Sequence, residues 1–165
     1  MGYSQDQNKD MEKVLEVIGL ILSIHGGKIY SKTKLIKLLY LLDLQFAKES
    51  GIPLTGIEYK SYFYGPYSED IEDALKSLEK LGFLEVTQEK STFTGKLYYV
   101  LKLLDLPRFN KLTEKEKEKI RKLVSRYIDS SLDDILDEVY ETEEYKNTPF
   151  GEVIHIGAPF HSSQK

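Results

Sequence analysis

Apolar residues recur along this chain with a helical period, then as an aromatic run with strand alternation, then with a helical period again. Residues 1–8 are polar and read as a disordered start. From Lys9 to His25, Met11, Val14, Leu15, Ile18 and Leu22 share one helical face, and Val17, Leu20, Ile21 and Ile24 widen the stripe until most of the helix is buried. Gly26-Gly27 supplies a left-handed stop. Ser31 caps a second helix that carries Leu35, Leu38, Leu39, Leu42 and Phe46 and ends at Ser50-Gly51. Ile57 to Tyr64 reads as one strand with Tyr59 and Phe63 facing inward, and Gly65-Pro66 reads as the turn after it. Ser68 caps a third helix that buries Ile71, Ala74, Leu75, Leu78 and Leu81 and stops at Gly82. Phe83–Thr87 and Lys96–Leu103 then form a hairpin with a polar tip. Thr113 and Glu116 make a capping box for a helix to about Ile128, and Leu132 to Tyr140 is a fifth helix.

The order helix, helix, strand, helix, hairpin is that of a winged helix. The expected fold is α+β and predominantly helical. A winged-helix-like core spans 9–105 with a small antiparallel hairpin, a C-terminal helical extension (106–148) packs on it, and 149–165 is an irregular tail. Winged helices serve as DNA readers and as protein-binding scaffolds, so the fold does not choose between them.

Composition narrows the chemistry. With 165 residues the chain is long enough for one core without staples, and zero cysteines exclude disulfides and thiolate metal sites. No apolar stretch approaches the roughly 20 residues of a bilayer span, and the N-terminal helix lacks a basic leader, so a cytoplasmic protein without a membrane partner is expected. The three histidines, His25, His155 and His161, are scattered. No phosphate loop or metal-ligand spacing occurs, so no catalytic residue, metal or cofactor is assigned and the chain reads as non-enzymatic.

Charge weighs against nucleic acid. The net charge is −4, and the third helix, which a winged helix lays in the major groove, sets Lys76 and Lys80 against Glu69, Asp70, Glu72, Asp73 and Glu79. The cations available to the alternative, a winged-helix DNA-binding transcriptional regulator, are Lys32, Lys34 and Lys37 on the second helix and Lys90 and Lys96 on the wing. Farther on, 111–128 carries seven cations against three acids, whereas 129–144 carries eight acids and no cation. Two solvated helices that attract each other would explain this, as would an acidic face, Asp133, Asp134 and Asp137, that steers a basic partner.

Three segments in order, Lys34-Leu35-Ile36-Lys37-Leu38-Leu39-Tyr40-Leu41-Leu42-Asp43, Gly51-Ile52-Pro53-Leu54 and Tyr62-Phe63-Tyr64-Gly65-Pro66-Tyr67, resemble the Panacea domain, also called the SocA-like antitoxin domain. The resemblance covers about 9–105 and more loosely the acidic helix; the chain departs from it in having no Trp near the aromatic strand. It implies a non-enzymatic domain that binds and neutralises a protein partner, often a toxin. From the residues themselves, Tyr62, Tyr64, Gly65, Pro66 and Tyr67 form a rigid aromatic corner, and its tyrosines serve either packing or a binding anchor. Asp43 interrupts a leucine run and must be paired if buried. Its expected partner is Lys60 or a strand tyrosine hydroxyl, a structural role.

Overall fold

The computed structural model describes residues 9–157, so the N-terminal segment 1–8 and the end of the tail lie outside the described residues. In chain order the elements are α1 (Met11–Ile24), β1 (Lys28–Ile29), α2 (Lys32–Ser50), β2 (Tyr59–Tyr62), β3 (Gly65–Tyr67), α3 (Glu69–Lys80), β4 (Leu84–Lys90), β5 (Leu97–Leu103), α4 (Glu114–Ser125), α5 (Leu132–Tyr140), α6 (Glu143–Lys146) and β6 (Val153–Ile154). This is a mixed, helix-dominated fold with two small antiparallel sheets, one ordered β1-β5-β4 and the other β3-β2-β6.

Local chemistry sets most helix boundaries. Asp10 caps α1 through the amides of Glu12 and Lys13, and Ser31 caps α2 through that of Lys34. Gly51 ends α2 in the left-handed conformation, and Thr113 with Glu116 closes a full capping box on α4. Ser68 does stand at the N-cap position of α3, but its buried hydroxyl makes no hydrogen bond among the described residues. Leu81, expected inside, is exposed, because the helix ends there and the chain turns at Gly82.

Two helices form the centre. Val14 to Leu22 of α1 are buried without interruption, and α2 buries ten residues against β3, α4 and α5. The apolar core therefore runs through the whole chain, from Val14 to Ile154.

The connection between β5 and α4 is pinned to α1. Glu16, in the buried run of α1, accepts the backbone N–H groups of Phe109, Asn110 and Lys111. One turn on, Gly19 leaves room for Pro107, whose Cδ lies 2.6 Å from where a Cβ would sit. A buried glutamate in an apolar helix is thereby satisfied by amides that no regular element pairs.

The aromatic segment differs from its sequence reading. The strand ends at Tyr62, Phe63-Tyr64 forms the tip, and Gly65-Pro66 belongs to the returning strand, with Tyr62 opposite Gly65. Gly65 takes a φ of 94°, and a Cβ there would stand 3.3 Å from Lys37 Cε. Phe63 is consequently 80% exposed rather than packed. The tail also gains order: Val153–Ile154 pair with Lys60 and Tyr59 as the third strand of that sheet.

Candidate protein-interaction site

A polar row on α2 fixes the aromatic hairpin. Lys37, Tyr40 and Asp43 follow one another at i, i+3, i+6 and so lie along one face of a helix otherwise packed with leucine. The Lys37 ammonium donates to Pro66 O at 2.7 Å, holding β3. The Tyr40 hydroxyl meets Thr142 Oγ1 at 2.8 Å, holding the corner between α5 and α6, and its ring stands edge-on to Tyr59 at 5.5 Å. Asp43 is 1% exposed and accepts Thr55 N–H at 2.7 Å, Thr55 Oγ1–H at 2.6 Å and Tyr59 O–H at 2.8 Å. Of the two partners expected for Asp43, the tyrosine is the one in contact. Lys60 is not, because strand alternation turns it to the face opposite Tyr59. The second partner, Thr55, comes from the irregular loop before β2, which offered no periodic signal.

Burial pushes the Asp43 carboxyl up from its ordinary range, against the three donors that hold it down. Burial alone lowers the Lys37 ammonium to about 8. The unfolded chain keeps that proton to about pH 10.4, so between pH 8 and 10 the unfolded state binds more protons and stability rises with pH. Wild type minus Lys37→Met is therefore expected to gain about 2 kcal/mol of unfolding free energy between pH 7 and pH 10, read by urea denaturation at each pH. A flat difference would place the ammonium in contact with water.

Above this row the aromatic rings make an exposed rim. Phe63 is 80% and Tyr64 71% exposed, and Phe150, from the tail, packs on Phe63 at 4.7 Å and on Tyr62 at 5.8 Å. Tyr62 also stacks on Tyr67 at 5.6 Å, and the Tyr67 hydroxyl donates to Glu72. Burial first, then Glu72, raises the Tyr67 phenol above its ordinary range, so it remains a donor. Between this rim, the first turn of α2 and β5 lies a groove of about 610 Å³, lined chiefly by aromatic rings from the hairpin, Tyr30 and Tyr99. Tyr62, Tyr64, Gly65 and Tyr67 are thus brought together in one wall, while Pro66 is buried behind them. Tyr62 and Tyr67 carry both packing and groove surface, whereas Tyr64 projects outward.

Sequence reasoning missed Phe63 as a surface ring and missed Phe150, Tyr30 and Tyr99 altogether. The available signal was an apolar residue directly after the Thr148-Pro149 break.

The acidic set lies on exposed positions of α5, and Asp133, Asp134 and Asp137 form no ion pair among the described residues. The basic and acidic segments meet through the Tyr127 hydroxyl, which donates to Glu138, rather than through direct ion pairs. Lys111 pairs with Asp10 and Glu12, and Lys119 with Glu49, while no ion pair among the described residues joins 111–128 to 129–144. Tyr140, whose phenol is raised by burial and then by Tyr145, Tyr64 and Asp137, stands between the acidic face and the rim.

The lysines considered for nucleic acid are dispersed in role. Lys32 pairs with Glu72 at 2.9 Å and covers the Tyr99 ring at 4.2 Å; Lys37 is buried; Lys34 donates to Ile128 O. Lys90 and Lys96 are exposed at the β4–β5 tip. Among the described residues no three carboxylate or imidazole groups converge on a metal-sized site, and no helix is long and apolar enough to cross a membrane.

The chain is 37% identical over 65 residues to the uncharacterized protein YwgA of Bacillus subtilis strain 168, a stretch covering 39% of this chain and 36% of that protein. It therefore matches little more than a third of the length of that relative. No solved structure matches the chain. The family model for the antitoxin SocA-like, Panacea domain matches residues 35–148, which takes in α2 from Leu35 onward, the aromatic hairpin, α3, the β4–β5 hairpin and the C-terminal helices; the chain belongs to that family.

Proposed function

We propose that this protein is a non-enzymatic, antitoxin-like interaction module that works in the cytoplasm by binding and neutralising a partner protein, a toxin. The observation that carries this reading is the aromatic rim. Phe63 and Tyr64 are held in solvent by a hairpin that α2 fixes, and Phe150 of the tail packs against Phe63. Rigid exposed aromatics around a groove are the surface from which protein interfaces draw most of their affinity. The exposed carboxylates Asp133, Asp134 and Asp137 add a field that speeds the approach of a basic partner.

The sheet order β1-β5-β4, with β1 between the first two helices, supports a winged-helix core into which β2 and β3 are inserted. The DNA-binding alternative is less well supported, since α3 carries more carboxylates than lysines and Lys32 and Lys37 are engaged within the protein.

The test uses the full chain as bait in an extract of its native host, with any captured neighbour-encoded protein assayed for growth inhibition and rescue. The double variant Phe63→Ala, Tyr64→Ala is expected to weaken capture and rescue about 100-fold, while its melting temperature stays nearly that of wild type, because both rings are exposed. Recovery of specific duplex DNA at about 0.15 M salt, with no toxin, would overturn the proposal.

A further inference from the structure

Strand β5 has an open edge that faces the groove. Its backbone groups alternate between neighbours: Lys96 O accepts Ser91 N–H from the β4 side, and Leu103 N–H donates to Gly27 O on the β1 side. Odd positions therefore point toward β1, which pairs only through Lys28–Ile29, with Ile29 opposite Leu101. After Ile29 the chain turns away into α2. The amide and carbonyl groups of Leu97 and Tyr99 are left with no strand opposite them among the described residues, and both residues line the groove.

Charge adds a second constraint. Of the groove's charged side chains, Lys32 and Glu72 neutralise each other at 2.9 Å. Lys37, 3% exposed in the groove lining, has among the described residues one hydrogen-bond partner, the neutral carbonyl of Pro66, and no carboxylate. A buried ammonium in this state is complemented by an incoming anion.

We infer that the groove receives an extended segment of the partner protein, which adds as a strand to β5 at Leu97 and Tyr99, sets apolar side chains against the hairpin aromatics and lays a carboxylate against Lys37. This rests on the reading of the protein as a partner-binding module. An amphipathic helix would leave the β5 amides unpaired, since its own backbone bonds are internal.

The probe is a library of random linear 12-residue peptides displayed on phage and selected on the full chain. Selected peptides are expected to alternate apolar residues and to contain at least one Asp or Glu. N-methylation of the peptide backbone at alternate positions should weaken binding tenfold or more and leave the intervening positions unaffected. Replacing the peptide's acid by its amide should weaken binding to wild type about tenfold but leave binding to Lys37→Met unchanged. On the protein, Leu97→Pro removes a groove-facing N–H without touching the β4 ladder, so it should abolish binding where Leu97→Ala does not, at equal melting temperature. The assignment is overturned by absence of binders, by indifference to N-methylation at every position, or by equal affinity of acid and amide peptides. Any of these alongside intact toxin rescue removes this mode of docking alone, whereas loss of the toxin itself removes the function.

Discussion

Asp43→Ala is expected to cost about 4 kcal/mol of unfolding free energy, the largest loss from any single side chain outside the apolar core. The carboxylate is 1% exposed and is the common acceptor for Thr55 N–H, Thr55 Oγ1–H and Tyr59 O–H. Truncation leaves three buried donors without a partner, each worth about 1–3 kcal/mol when orphaned, partly offset by removing a desolvated charge. Thr55→Val, which removes one donor to Asp43 and the acceptor of Ile57 N–H while nearly keeping the volume, should lose about 2 kcal/mol. Urea unfolding of both variants reads the difference. A loss below about 1 kcal/mol for Asp43→Ala would mean that water enters and replaces the carboxylate. The effect should reach the groove as well, since Tyr59 begins the strand whose far end presents Phe63 and Tyr64.

The second large effect falls on α1. Glu16→Ala removes the acceptor of three backbone amides, at Phe109, Asn110 and Lys111, from a site where the side chain is 6% exposed. The expected loss is about 3 kcal/mol, by the same logic of orphaned donors. It should be local in hydrogen exchange: amides of 109–111 lose protection first, while those of α2 keep theirs. Glu16→Gln retains one acceptor oxygen and should recover part of the loss. Uniform loss of protection across α1 and α2 instead would show that the connection folds only with the whole domain.

Helices were legible in the sequence because their determinants are local. Ser31, Gly51 and the Thr113–Glu116 box each act within four residues, and the structure places the element ends where those side chains put them. The aromatic hairpin was legible as a site and misread in register. No Gly or Asn marks a turn at Phe63-Tyr64, so the sequence points to Gly65-Pro66 as the turn and to Phe63 as inward, whereas the register puts Phe63 at the tip. The pairing of Asp43 followed from the cost of burying a carboxylate, which holds wherever the partner lies. Identifying Thr55 as that partner required the fold of a loop with no periodicity.

Long-range features were out of reach for a different reason. Glu16 lies more than ninety residues from the amides that it binds, and the strand Val153–Ile154 exists only because Tyr59 and Lys60 offer it an edge. Neither has a signature in its own neighbourhood.

The family match stops at residue 148, yet two residues later Phe150 stacks against the hairpin tip, and Val153–Ile154 close the sheet beneath it. Trimming the polypeptide at the family border would leave β2 with a bare flank and strip a ring from the rim. Such a truncated domain would invite self-association through that flank and under-report affinity for the proposed partner. Expression boundaries for this protein therefore belong beyond Ile156, whatever the profile of its relatives suggests.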